Sequence, residues 1–316
     1  MRPDIQALAD LVGRHYGLAV ARIDALPGGL SALAYALIDR TGTRYFLKAY
    51  DLSRAGVSRW TEPIAQYIPA LCAMAQSPAL AGRVPQPVLT SSGAPCCGDG
   101  AFTCLLYRWI DGRAPSRASL TGAQLDALAD IVAAVHAHPL PGGGPEALRE
   151  RFDAPFAASL ERLLREAPGD LVPPAAGEKT RALLARLRGL APRVRALGLP
   201  MGWTHGDIHR GNLMETDQGL MLIDWEGLSV APPEADLFFL GRYEPGFSAR
   251  YRARAGYAPH PEALAFFGAR RRLDDIHEFL RALLIDRVGG EEGRAQRRYL
   301  AAELARLDPP MTFDFI

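Results

Sequence analysis

The chain has almost no lysine and a single asparagine. Of its 36 basic residues only Lys48 and Lys179 are lysines, and Asn212 is the one asparagine. Both scarcities fit coding bias in a GC-rich genome, yet they exclude a class of function. A phosphate-binding loop of the Gly-x-x-x-x-Gly-Lys-[Ser/Thr] kind needs a lysine straight after a glycine. Lys48 follows Leu47 and Lys179 follows Glu178, so that class is out. Cysteine is also sparse: Cys72, Cys96, Cys97 and Cys104 include no Cys-x-x-Cys pair, which argues against a zinc knuckle or a disulfide scaffold and for a reducing compartment. Charge of one sign is lacking. Thirty-six basic and 35 acidic residues leave a net charge of +1, which gives no electrostatic support for nucleic acid or an anionic membrane as partner. No stretch reaches the ~18 uncharged apolar residues of a membrane-spanning helix. The first residues, MRPDIQALADLVGRHYG, mix Asp and Arg into their apolar positions, unlike a signal peptide. A cytoplasmic enzyme of bacterial type is the expectation.

What is present divides into two kinds of pattern. Residues 3–16 have helical periodicity, with Ile5, Leu8, Leu11 and Val12 on one face. Strand character follows at 18–26, 32–39 and 44–50, with a hairpin turn at Asp39-Arg-Thr-Gly-Thr43. A helical stretch over 59–76, disturbed by Pro63 and Pro69, precedes two further strands at 84–90 and 102–109. After Asp111-Gly112 the chain becomes helical: 121–138 behind a Thr121 N-cap, then 146–166, 178–197, 261–288 and 292–307. One short β island interrupts these helices, Leu213–Glu215 and Leu220–Ile223 around the turn Thr216-Asp-Gln-Gly219. The expected fold class is α+β, a two-lobed arrangement with a small β-rich N-lobe over 1–108 and a larger helical C-lobe over 109–316.

The chemistry concentrates in Trp203-Thr-His205-Gly-Asp207-Ile-His209-Arg-Gly-Asn212 and, beyond the β island, Leu222-Ile-Asp224-Trp225-Glu226. This is the His-x-Asp-x-x-x-x-Asn pattern of a kinase catalytic loop, with a second Asp twelve residues after the Asn. Phosphoryl transfer needs a carboxylate beside the attacking hydroxyl, and Asp207 fits that need. It also needs hard oxygen ligands for the Mg²⁺ that bridges phosphates, and Asn212 and Asp224 fit those. Lys48 lies in the alternating strand Tyr45-Phe-Leu-Lys-Ala49, where kinases place a lysine against the α- and β-phosphates. Lys179, in Gly177-Glu-Lys-Thr, is an exposed helix-start residue that arginine is expected to replace without loss.

These segments resemble the aminoglycoside phosphotransferase and choline kinase family, whose fold resembles that of protein kinases, and most of all its spectinomycin phosphotransferase-like members. The similar stretches are Gly17–Tyr35, Thr204–Gly241 and Asp274-Asp275-Ile276. The resemblance implies an ATP-dependent O-phosphotransferase with ATP and Mg²⁺ in its cleft. Asp207 would be the catalytic residue and Asn212 and Asp224 the metal ligands. His205 would tie the loop to the segment holding Asp224, and His209 either supports the loop or approaches substrate. Glu62 falls where the glutamate partner of Lys48 sits, although Pro63 puts it at a helix start. Gly28, Gly29 and Ser31 lie where kinases cover the phosphates. The backbone of Arg108 and Ile110 would hold adenine, and Asp236, which follows Glu234 in Ala231-Pro-Pro-Glu-Ala-Asp236, would buttress the loop.

The acceptor would be a hydroxyl of a small molecule, with an aminoglycoside or aminocyclitol first. Such a molecule is cationic, so its pocket should present carboxylates. Candidates are Glu226, Glu244, Asp274, Asp275 and Glu278, and the same residues read equally as a solvated acidic face beside Arg270–Arg272. The alternatives are a kinase of another hydroxylated metabolite, an amino alcohol or a sugar, and a catalytically silent nucleotide-binding module. The intact set Lys48, Asp207, Asn212 and Asp224 speaks against the silent module.

Overall fold

A computed structural model describes residues 3–27, 32–54, 56–116 and 119–307. Contacts divide the chain into two compact units. The first comprises residues 1–149, 202–230 and 253–255, and the second 150–201, 231–252 and 256–316.

The first unit opens with helix α1 (Ile5–Tyr16). The side chain of Asp4 accepts from the Gln6 N–H at its start, and Gly17 ends it in the left-handed conformation, φ 66°. Strands β1 (Val20–Ala25), β2 (Leu33–Asp39) and β3 (Arg44–Asp51) form an antiparallel run. Two helices follow, α2 (Ser58–Thr61) and α3 (Ile64–Gln76), then strands β4 (Pro87–Val88), β5 (Cys97–Gly98) and β6 (Phe102–Arg108). The sheet order is β1-β2-β3-β6-β4, with β5 also on β6. Alternation along β3 gives this sheet its two roles. Tyr45, Leu47 and Ala49 pack with Leu8, Leu11 and Val12 of α1 and with Leu37 and Leu106. Full burial of each such leucine contributes ~1.5–3 kcal/mol. Phe46, Lys48 and Tyr50 point to the opposite face.

The same unit continues with β7 (Gly112–Arg113), α4 (Gly122–His136), β8 (Gly202–Thr204) and the hairpin β9 (Leu213–Thr216)–β10 (Gly219–Leu222). β7 extends the hairpin into three strands, and β11 (Ser229–Ala231) pairs with β8. A reciprocal cap between Thr121 and Gln124 starts α4.

The second unit is helical: α5 (Ala157–Glu166), α6 (Pro174–Ala196), α7 (Glu234–Tyr243), most of α8 (Phe247–Ala255), α9 (Pro261–Leu284) and α10 (Gly290–Ala305). Helix α9 is its axis, in contact with α5, α6, α7 and α10. Leu160, Leu184, Leu187, Phe266, Leu273, Ile276 and Leu300 form the core between them. No helix among the described residues is long and apolar enough to cross a membrane.

Several local expectations need correction. The helix over 59–76 breaks at Glu62-Pro63, because proline removes an N–H donor and restricts the residue before it. Pro69 is nevertheless accommodated inside α3. The helix over 146–166 begins only at Ala157. Phe152 upstream has φ 54°, which no right-handed helix adopts. Of the strand over 84–90 only Pro87–Val88 pairs, while Cys97–Gly98, inside the expected turn 92–100, forms a strand. Helices α7 and α8 had no counterpart in the sequence reading.

Candidate active site

The Asp207 loop leaves β8 through His205 and Gly206. His205 is fully buried and its ring bridges two backbone segments. Nδ1 lies 3.2 Å from the Asp207 N–H, which donates to it, and Nε2 lies 3.0 Å from the Ile223 carbonyl. A single neutral tautomer, with the proton on Nε2, satisfies both. The imidazole also meets the Trp225 ring edge-on, centroids 4.7 Å apart. One side chain thus sets the spacing between the start of the Asp207 loop and the residue before Asp224.

Asn212 supplies the second tie. Its Nδ2 donates to the Asp207 carbonyl at 2.9 Å and to Asp207 Oδ2 at 3.2 Å. The Asn212 carbonyl accepts from the Ile223 N–H at 2.8 Å, one step beyond the β9–β10 ladder. His209 accepts from the Gly211 N–H at 3.0 Å and places Nε2 3.6 Å from Asp207 Oδ2. Its ring therefore holds the turn and also stands beside the carboxylate.

Asp224 has φ 71° and ψ 65°. A left-handed backbone at a residue with a side chain costs on the order of 1–2 kcal/mol and persists only where the surroundings impose it. It starts the 3₁₀ turn Trp225–Gly227, which carries Glu226 back toward β3. Lys48 Nζ donates to Asp224 Oδ1 at 2.5 Å and to Glu226 Oε1 at 2.7 Å. The Tyr50 hydroxyl also bonds to Glu226 Oε1. Burial alone would depress the Lys48 ammonium, but the Glu226 and Asp224 carboxylates outweigh it, so its pKa is raised. Burial pushes the Asp224 carboxyl up, and the Lys48 charge and its hydrogen bonds more than reverse this, leaving it low. Glu226 goes the other way, raised by burial with the Asp224 charge beside it.

The donor set fits a hard divalent cation. With the Asn212 Nδ2 committed to Asp207, the amide oxygen Oδ1 is the atom Asn212 has left to offer. Asp224 supplies an ionised carboxylate that is 39% exposed. Oxygen donors of this kind are what Mg²⁺ takes.

Residues 22–273, well over half of the chain, match the profile of the phosphotransferase enzyme family (APH). The chain belongs to the phosphotransferase enzyme family. Protein StrN of Streptomyces griseus is 31% identical over 194 residues, 56% of this chain and 58% of that protein. The chain thus spans under two thirds of this curated relative. A spectinomycin phosphotransferase, solved in complex with ADP and spectinomycin, superposes with a TM-score of 0.70 at 18% identity, covering 97% of this chain and 98% of its own. The choline kinase of Streptococcus pneumoniae superposes with a TM-score of 0.61 at 18% identity, covering 95% and 98%. The α+β protein-kinase-like fold is that of these structures.

Within this phosphotransferase, the structure brings Lys48, Asp207, Asn212, Asp224 and Glu226 together in the first unit. Glu62 is not part of that set. It is exposed at the end of α2, while the carboxylates that bind Lys48 are Asp224 and Glu226. Glu226, read from sequence as an acceptor-side carboxylate, instead lies buried against Lys48 and Tyr50. Gly28, Gly29 and Ser31 lie outside the described residues. The Arg108 N–H is used by the Gln86 carbonyl at 2.9 Å, so its own carbonyl is what it offers a ligand, next to the N–H of Ile110.

Asp274, Asp275 and Glu278 lie on α9 in the second unit. Arg271 Nε bonds to both Asp275 carboxylate oxygens at 3.0 and 3.1 Å, and Arg281 Nη2 holds Glu278 at 2.8 Å. Glu234 and Asp236 are buried on α7, where Glu234 accepts from the Tyr257 hydroxyl and the His260 N–H. Glu244 is buried at the end of α7. Tyr50 was missed by the sequence reading. Its one signal is that it stands two residues after Lys48 on an alternating strand, hence on the same face.

Proposed function

We propose that this phosphotransferase moves the γ-phosphoryl group of ATP to a hydroxyl of a small cationic molecule, an aminoglycoside or aminocyclitol such as spectinomycin. The observation that carries the reading is the Asn212 amide, bonded to both the backbone and the carboxylate of Asp207. It fixes a proton acceptor beside a metal-ligand oxygen. Asp207 orients the acceptor hydroxyl and takes its proton as the oxygen bonds to the γ-phosphorus and the bond to the ADP oxygen breaks. Asn212 Oδ1 and Asp224 would hold Mg²⁺, which neutralises charge on the phosphates. Lys48 binds phosphate oxygens as a compact ammonium. The Arg108 carbonyl and Ile110 N–H offer adenine one acceptor and one donor.

In this reading residues 1–108 form the nucleotide lobe and 109–316 the catalytic and acceptor lobe. Asp274, Asp275 and Glu278 are acceptor-side candidates. Arg271 and Arg281 already occupy two of them, so a cationic acceptor competes with those guanidinium groups. The spectinomycin-bound structure supports an aminocyclitol, and the choline kinase likeness supports an amino alcohol.

The test is a panel of aminoglycosides, spectinomycin, amino alcohols and sugars with ATP and Mg²⁺, run with wild type and Asp207→Ala. Turnover of an aminoglycoside or aminocyclitol, lost by ~10²–10⁴-fold in the variant, is expected. Turnover of only an amino alcohol or sugar moves the substrate assignment to that class. Unchanged turnover by Asp207→Ala refutes the catalytic assignment.

A further inference from the structure

Kinases hold their β3 lysine with a glutamate from the helix that follows the strand. Here the long helix after β3 is α3, Ile-Ala-Gln-Tyr-Ile-Pro-Ala-Leu-Cys-Ala-Met-Ala-Gln, and it carries no charged residue at all. It packs on the 3₁₀ turn that holds Glu226. Its buried Tyr67 is the residue within electrostatic reach of both Lys48 and Glu226. The helix is therefore in place and its carboxylate is absent.

The carboxylate that does meet Lys48 from the sealed side comes from elsewhere. Glu226 has a side chain only 6% exposed, against 39% for Asp224. The two therefore divide the ammonium between an interior side and an open side. Asp224, the more exposed of the two, is the carboxylate that a bound cation would reach, and it would then leave Lys48 to Glu226. Glu226 is held independently, because the Tyr50 hydroxyl bonds to the same oxygen that Lys48 uses. Tyr50 itself is fully buried. Alternation on β3 supplies both Lys48 and Tyr50 to one carboxylate.

We propose that Glu226 is the positioning residue for Lys48, replacing the glutamate that α3 lacks, and that Tyr50 locks Glu226 in place. This rests on the reading of Lys48 as the phosphate contact. The ammonium keeps one bond to Glu226 throughout and turns its remaining N–H groups from Asp224 to phosphate oxygens when nucleotide enters. Glu226 acts through Lys48, whereas Asp224 and Asn212 act through the metal.

The test uses Glu226→Gln, which preserves shape and a hydrogen-bond acceptor, and Tyr50→Phe, with melting temperatures as the folding control. ADP affinity is measured by calorimetry in EDTA, where no metal contributes, and the Mg²⁺ activation constant is measured separately by turnover. Glu226→Gln is expected to weaken metal-free ADP binding ~10-fold, Tyr50→Phe less, and the Mg²⁺ constant is expected to stay put. In a Lys48→Ala background the effect of Glu226→Gln should vanish, the coupling expected of residues in contact. A shifted Mg²⁺ constant with intact metal-free ADP binding makes Glu226 a metal ligand and overturns the proposal. Additive losses with Lys48→Ala overturn it equally. A wild type that binds ADP only with Mg²⁺ overturns this proposal alone, whereas one that binds ADP neither in EDTA nor with Mg²⁺ refutes the nucleotide reading itself.

Discussion

Alanine at Gly206 should loosen the fold and spoil turnover through one close backbone contact. Gly206 has φ 81°, and a Cβ there would lie 2.8 Å from the Gly227 carbonyl oxygen. From the other side, a Cβ on Gly227 would lie 2.8 Å from the His205 carbonyl oxygen. The two backbones therefore touch where the Asp207 loop passes the turn that carries Glu226. Gly206→Ala incurs two costs. The left-handed conformation costs ~1–2 kcal/mol for a residue with a Cβ. The overlap, which backbone and not a flexible side chain must relieve, costs ~1–3 kcal/mol. Together they amount to ~2–5 kcal/mol, a large share of a typical stability of ~5–15 kcal/mol. Gly227→Ala incurs only the overlap, since Gly227 is absent from the positive-φ glycines. Relief of the clash moves Asp207 relative to Asp224, and a 1 Å misplacement costs ~10²-fold in rate. Urea unfolding gives the stabilities, and steady-state kinetics at saturating ATP gives kcat. A Gly206→Ala variant within ~0.5 kcal/mol of wild type and with normal kcat refutes the argument. Equal losses for the two variants refute its left-handed part.

Other outcomes follow from the same structure. His205→Leu should lower stability by ~2–6 kcal/mol, because the half-buried Asp207 N–H and Ile223 carbonyl each lose a partner at ~1–3 kcal/mol. Thermal melts check this. Burial pushes the Asp275 carboxyl up to about 6 from 3.8, against the pull of Arg271. The folded chain therefore holds that proton more tightly than the unfolded one. Its contribution is full below about pH 4 and is lost as pH rises through 6. After discounting for a side chain 31% exposed, the loss is ~1–2 kcal/mol. Asp275→Asn should flatten the decline in melting temperature between about pH 4 and 7, and parallel curves for the two proteins refute it. Lys179→Arg, exposed on α6, should stay within ~0.5 kcal/mol of wild type with unchanged kcat.

The pattern of legibility has a physical basis. The closeness of Asp207, Asn212 and Asp224 could be read because a short loop and a four-residue-strand hairpin fix their separations locally. The spacing of residue types is then nearly the geometry itself. Lys48 could be read because strand alternation sets its face. Glu62 failed because a count of residues along the chain stands in for a helix register, and Pro63 ends α2 before that register is established. The substitute, Glu226, is 178 residues from Lys48. No local period links them, and only the folded first unit shows that the left-handed Asp224 turns the next residues toward β3. The same limit explains why the sequence groups Glu226 with Asp274, Asp275 and Glu278. A carboxylate near a catalytic loop carries no mark in sequence of whether it faces an acceptor or an ammonium. Burial decides between the two. A carboxylate 6% exposed beside a lysine cannot be given up to a solvent-borne cation without stranding the ammonium in the interior, at a cost of ~3–5 kcal/mol for a buried pair broken on one side. On this proposal that cost separates Glu226 from Asp224, whose more open side would let it exchange the lysine for a metal.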